Sequence, residues 1–180
     1  MNKTKLKSIL PAIAKNNVRY FLNGLHVDFD KREIAATNGH VIVIVENVQG
    51  LDGSGRVIIP RNIVKLAAKV KTNSELRITP TQIGYADKDF PSFLFNPIES
   101  SCKLDYWSVV PSGNAASERF GFYKSEYIKL LEDIEAAFKT QFALHCPQDA
   151  MKSPLKGVLE SDGERVTICI MPTKREEAGE

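Results

Sequence analysis

Few residues in this chain have the types and spacing that chemistry needs. His40 lies in "ATNGHVIVIV", and beside Asp105 it would suit acid–base work. No partner nucleophile, Gly-rich phosphate loop or metal-ligand cluster accompanies the pair, so no enzyme activity, metal or cofactor is expected. Cys102, Cys146 and Cys169 are odd in number and lack CxxC spacing. They read as free, partly buried thiols rather than a disulfide framework or zinc site. Tyr106 and Trp107 offer a stacking platform for single strands, but they read better as core or wall aromatics. Thr37, Asn38, Gly39 and His40 remain open as an ordinary turn, an active site or a wall.

The strongest chemical signal is cationic. Asn2 to Lys15 carries Lys3, Lys5, Lys7 and Lys15 with no acid, and "PRNIVKLAAKVK" carries Arg61, Lys65, Lys69 and Lys71, again with none. By contrast, "KSEYIKLLEDIEAAFK" mixes lysines with Glu126, Glu132, Asp133 and Glu135.

Helices must position these charges. Leu6, Ile9, Leu10 and Ile13 fall at helical spacing with the lysines largely off that face, although Pro11 should kink or shorten the helix. Ile63, Leu66, Ala67 and Val70 repeat the spacing behind Pro60. Tyr127, Leu130, Leu131, Ile134 and Phe138 form a third stripe, with Ser125 expected as its N-cap. The rest reads as β. "VRYFLNGLHVDF" and "REIAATNGHVIVIV" flank a turn at Asp30 and Lys31, and "GRVIIP" follows. "SELRITPT", "QIGYADKDF", "SFLFNPIE" and "CKLDYWSVVPSG" come next. "ERFGFY", "QFALHC", "LKGVLES" and "RVTICIMP" complete the set, with Asp162 and Gly163 as a turn.

The order helix then strands occurs three times, in units of about 55 to 60 residues, a length typical of repeat architectures. "RVIIPRNIVKL" and "RFGFYKSEYIKLL" occupy matching places, each a strand running into an amphipathic helix. The first unit begins at its helix and lacks the leading strand. With 180 residues, 43% hydrophobic, the chain has material for a real core. Its net charge of +2 does not by itself announce a nucleic-acid binder. The apolar run "HVIVIV" is far shorter than the roughly 20 residues of a membrane span, and no signal-peptide core is evident, so a cytoplasmic protein is expected.

"VRYFLNG", "ATNGHVI", "VIIPRNIVKL", "LDYWSVVP" and "ICIMP" resemble, in that order and at similar spacing, the bacterial sliding clamp, the β subunit of DNA polymerase III holoenzyme. They match its middle domain followed by the second half of its last domain, over Leu6 to Pro172. The resemblance implies an α+β DNA clamp fold of three βαβββ-type repeats, helices on one face and antiparallel sheets on the other. It implies a complete domain over 1–112, a half domain over 117–173 and a charged tail over 174–180. It also implies double-stranded DNA as a sequence-independent partner, with Lys3, Lys7, Lys15, Arg61, Lys65 and Lys69 as candidates to face it.

The family carries an apolar groove that captures peptides from polymerases and the clamp loader. Matched residue by residue, its lining here would be Leu22, Thr37, Gly39, His40, Val41 and Ile42, then Leu104, Ser108 and Val109, then Cys169 and Met171. The chain departs from the family where Asn38 replaces Asp, Val41 replaces Arg, Leu104 replaces Pro and Ser108 replaces a frequent Arg. Lost cations would make the groove more apolar. Known clamps close rings of twelve units; with three units per chain, a homotetramer is expected, completed across subunit boundaries where the first unit lacks its strand. The competing expectation is a non-ring interaction module or decoy, as from a phage or mobile element, that binds clamp-motif peptides without encircling DNA.

Overall fold

The computed structural model describes residues 1–87, 89–98, 105–111, 122–145, 149 and 152–173. In chain order these form helix α1 (Lys3–Ile9), strands β1 (Gly24–Asp28), β2 (Glu33–Thr37), β3 (Val41–Glu46) and β4 (Arg56–Pro60), and helix α2 (Arg61–Ala67). Strands β5 (Leu76–Thr79), β6 (Gln82–Tyr85) and β7 (Phe93–Leu94) follow. Helix α3 (Ser125–Phe138) and strands β8 (Ala143–His145), β9 (Leu155–Ser161) and β10 (Glu164–Ile170) complete the set.

Alternation sorts the sheet into two faces. Ile34, Ala36, Val41, Val43, Val45, Val166, Ile168 and Ile170 join Leu6, Ile9, Val64, Ile134 and Phe138 in one large core, so all three helices cover the same side. The intervening residues Ala35, Ile42, Ile44 and Cys169 face the other way and form a second cluster with Tyr106. The antiparallel order is β4-β1-β2-β3-β10-β9-β8, and β5-β6-β7 form a separate three-stranded sheet. The junction of the first and third repeats is the β3–β10 ladder, from Arg165 opposite Glu46 to Ile170 opposite Val41.

Several expectations hold. Pro11 ends α1 at Ile9 and turns the chain into a 3-10 turn over Leu10–Ala12. Asp30–Lys31 and Asp162–Gly163 fall in the β1–β2 and β9–β10 turns, and Asp162 and Gly163 take φ of 53° and 76°. The α3 stripe is buried as expected.

Others are corrected. Ser125 is the first helical residue, not the N-cap, which is Lys124. α2 stops at Ala67, where the Tyr85 hydroxyl donates to the Ala67 carbonyl at 2.8 Å. It buries Val64, Ala67 and Ala68, whereas Leu66 is 45% exposed. Ile63 and Val70 of the expected stripe are partly buried against the core, so only Leu66 turns out to solvent. "DYWSV" forms a 3-10 turn over Tyr106–Val109 rather than a strand. The boundary at 112–117, the tail over 174–180, and Leu104, Cys102 and Cys146 lie outside the described residues.

The expected gap at the first unit is filled from within the chain. β4, the leading strand of the second unit, pairs with β1 from Gly24 opposite Pro60 to Asp28 opposite Arg56. The outer edge of β5 bonds to the chain itself. Leu76 N–H donates to the Met1 carbonyl, Ile78 N–H to the Gly50 carbonyl, and Asp52 N–H to the Ile78 carbonyl. Gly50 is required there, because at φ +83° a Cβ would stand 2.0 Å from the Leu76 carbonyl oxygen.

Candidate functional site

β2 ends and β3 begins around Asn38, Gly39 and His40, and the loop between them is fixed by its own side chains. Thr37 Oγ1 donates to the Val41 carbonyl at 2.8 Å and accepts from Gly39 N–H at 3.1 Å. Asn38 Oδ1 accepts from His40 N–H at 2.9 Å and Val41 N–H at 3.1 Å. These short-range bonds are what Asn and Thr supply in tight turns, and Gly39 provides the left-handed φ of +91°. Asn38 therefore keeps the acceptor role an Asp would play. Its Nδ2 donates to the Tyr127 hydroxyl at 3.4 Å, and the His40 ring stacks on Tyr127 with 6.5 Å between centroids. Burial pushes the Tyr127 phenol pKa up. The loop is thus anchored to α3, and Met171 N–H donates to the His40 carbonyl at 2.8 Å.

The opposite wall is the turn that carries Tyr106 and Trp107. The Tyr106 hydroxyl and Trp107 Nε1 each donate to Glu33 Oε2 at 3.2 Å, which pins the turn to β2 on the helix-free face. Burial, with the Glu33 carboxylate beside it, raises the Tyr106 pKa, so the phenol stays a neutral donor. The third wall is the 3-10 turn at Tyr20–Leu22, held where His26 Nε2 meets the Phe21 carbonyl at 2.9 Å. Burial lowers the His26 pKa, so its imidazole is neutral and donates through Nε2.

These walls enclose a groove of about 270 Å³. Leu22, Thr37, Gly39, His40, Val41, Ile42, Val109, Cys169 and Met171 all line it. Of the other expected residues, Ser108 is exposed outside the lining, its Oγ donating to the Asp105 carbonyl at 2.7 Å, and Leu104 is not described. Sequence reasoning missed Arg19 and Phe21, although both belong to the "VRYFLNG" motif beside Leu22, and assigned Asp105 only to a catalytic pairing. The Arg19 guanidinium lies close over Gly39, so a cation borders the groove even though Val41 brings none. Burial pushes the Cys169 thiol up to about 11, which leaves it a neutral, apolar lining. Val109 is 50% exposed and Met171 39%, so large apolar groups face solvent in an open trough.

The cationic residues lie on the helical elements. Lys7 and Lys65 are exposed on α1 and α2, and Lys3 is half-buried on α1. Lys15 and Lys69 are exposed but fall beyond the ends of these helices. Arg61 is half-buried and donates from Nε to the Ile13 carbonyl at 3.2 Å. Lys5 turns inward: it is buried, with Nζ 2.9 Å from Glu164 and 3.1 Å from Asp162, and it stands over the Phe138 ring. Burial alone would lower its pKa, but the two carboxylates outweigh that and leave it raised.

Solved structures with a similar fold are bacterial DNA polymerase sliding clamps. The DNA polymerase sliding clamp of Pseudomonas aeruginosa superposes with a TM-score of 0.65 over 97% of this chain, at 17% identity. The chain has the sliding-clamp fold. The β clamp of Helicobacter pylori matches with a TM-score of 0.66 at 14% identity, and the clamp of Caulobacter crescentus with 0.66 at 16%. Each match covers 96% of this chain. The chain spans 65%, 64% and 63% of these three clamps in turn, a little under two thirds of each. No family model matches the sequence, and no curated protein matches it significantly. The clamp fold agrees with the resemblance read from the motifs. Among the described residues no helix is long and apolar enough to cross a membrane.

Proposed function

We propose that this chain is a clamp-type processivity factor that captures extended peptides of DNA polymerase and clamp-loader proteins in the outer groove. Four copies, three repeats each, would close a ring around duplex DNA. The observation that supports this best is convergence. Residues from "VRYFLNG", "ATNGHVI", "DYWSV" and "ICIM", distant in sequence, line one apolar trough with few polar groups at its rim. Such a trough accepts the hydrophobic anchors of an extended segment, while rim groups such as Arg19 and Thr37 fix its direction. His40 serves as wall, stacked on Tyr127, rather than as an acid–base catalyst. Exposed Lys7 and Lys65 on the opposite side suit contacts to phosphate that carry no sequence information.

One observation favours a second reading, an interaction module that binds peptide outside any ring. α3 lies on the helix side and exposes Glu126, Glu132 and Asp133, which would repel phosphate. Retention on nicked circular DNA, with release after linearisation, separates the two. A ring is retained and runs as a tetramer by light scattering at micromolar concentration. A peptide-binding module is not retained, and a strict monomer or dimer overturns the closed tetramer.

A further inference from the structure

Within the first two repeats, the strand that follows a helix has its outer edge covered, β5 after α2 by bonds to the Met1 and Gly50 carbonyls. β1 follows α1, and β4 pairs along its whole length. β8 follows α3 in the same position, and among the described residues no strand pairs with its outer edge. Large apolar side chains of the third repeat are exposed. Leu144 of β8 lies opposite Gly157, on the helix side, and is 51% exposed; Ile128 on α3 is 39% exposed. Gly157 has no room for a side chain of its own, since a Cβ there would meet Leu144 and Phe142 at 3.1 Å. Among the described residues, the third repeat therefore exposes apolar side chains on α3 and β8 and a strand edge that no strand covers.

The charges on this flank are arranged about a centre. Lys124 precedes Ile128 by one helical turn and Glu132 follows it by one, and both are exposed. If two copies of α3 pack antiparallel with Ile128 at the axis, Lys124 of each helix faces Glu132 of the other, twice. A surface that is apolar at its centre and changes sign across it is complementary to itself.

We propose that the third repeat pairs with the third repeat of a second copy about a two-fold axis, α3 against α3, so that the exposed Ile128 flank of each is covered by the other. This contact is separate from the peptide groove, and two such dimers carry the repeats needed for the proposed ring.

The test is oxidative cross-linking together with light scattering. With Cys102 and Cys146 replaced by Ser, Ile128→Cys is expected to form a covalent dimer under mild oxidation, because the two thiols meet at the axis. Lys124→Glu should weaken dimerisation about tenfold, because the symmetry breaks both ion pairs at once. Glu132→Lys should do the same, and the double exchange should restore the dimer. Lys124, Ile128 and Glu132 are all exposed, so circular dichroism should be unchanged by substitution there. A wild-type protein monomeric across the micromolar range, an uncross-linked Ile128→Cys, or a double exchange no better than its parents would overturn the pairing. Peptide binding, followed by fluorescence anisotropy, is expected to persist in every variant, so loss of the dimer and loss of the groove are read separately.

Discussion

The two faces of the sheet hold their chemistry in different ways. On the outer face, groove residues are placed by strand register and by local bonds: Ile42 by its pairing with Cys169, Met171 by the His40 carbonyl, and Gly39 by Thr37. On the helix side, the cations depend on where two seven-residue helices stop and how they rotate, so one residue of difference turns Lys5 inward and leaves Lys69 past a helix end. A recognition surface on strands inherits the register of the sheet. A charge pattern on short helices does not, and it is free to vary without disturbing the groove.

This contrast can be broken or sharpened. The largest effect belongs to the core that both faces share. Ile168→Ala removes a fully buried side chain opposite Val43 and should cost about 2–5 kcal/mol in urea denaturation. Both functions should then fail together. Next, the Lys65→Glu and Lys69→Glu pair should weaken retention on circular DNA and reduce the slope of log affinity against log salt by about 2. Peptide affinity should be unchanged; full DNA retention in this variant would show that these lysines do not face phosphate.

Smaller effects probe the groove's own supports. Asn38→Ala removes acceptors for His40 and Val41 N–H and should cost about 1 kcal/mol in thermal melts. Asn38→Asp keeps both acceptors and should cost less, losing only the donor to Tyr127. An Asp variant as damaging as the Ala variant would mean that the Tyr127 contact, not the turn, carries the effect. The smallest effect is a pH dependence. The His26 pKa is lowered by burial, so the unfolded chain takes up a proton more readily than the fold. The stabilisation is full above the ordinary value of 6.5 and declines as pH falls below it. His26→Gln should flatten that decline in melts between pH 7 and pH 5.

Much of this was legible in the sequence. Runs rich in β-branched and aromatic residues located the strands of the large sheet, Asp–Gly and Asp–Lys marked the turns, Pro11 marked the end of α1, and the α3 stripe was buried as read. Motif order brought most of the expected residues to one pocket, without Ser108, and Arg19 and Phe21 stood inside a motif already in hand. What failed shares a physical cause. The buried face of α2 is rotated toward Val64 and Ala68, so Leu66 turns to solvent while Ile63, Ala67 and Val70 stay against the core. "DYWSV" has strand-like composition, yet buried hydrogen bonds from Tyr106 and Trp107 to Glu33 bend it into a turn. The joining of β3 to β10 and the capping of β1 by β4 are long-range pairings that no local pattern specifies.

The central claim is that the outer trough binds extended peptide through its apolar lining. The direct measurement is an anisotropy titration of a fluorescein-labelled peptide bearing Leu and Phe anchors, comparing the unmodified protein with Met171→Glu. Met171 lies at the half-exposed end of the trough, so the substitution leaves the fold intact and places a carboxylate among the anchors. We expect saturable binding that weakens at least about tenfold in the variant, with the melting temperature unchanged. Equal affinity in the two proteins, or no binding to either, would contradict it.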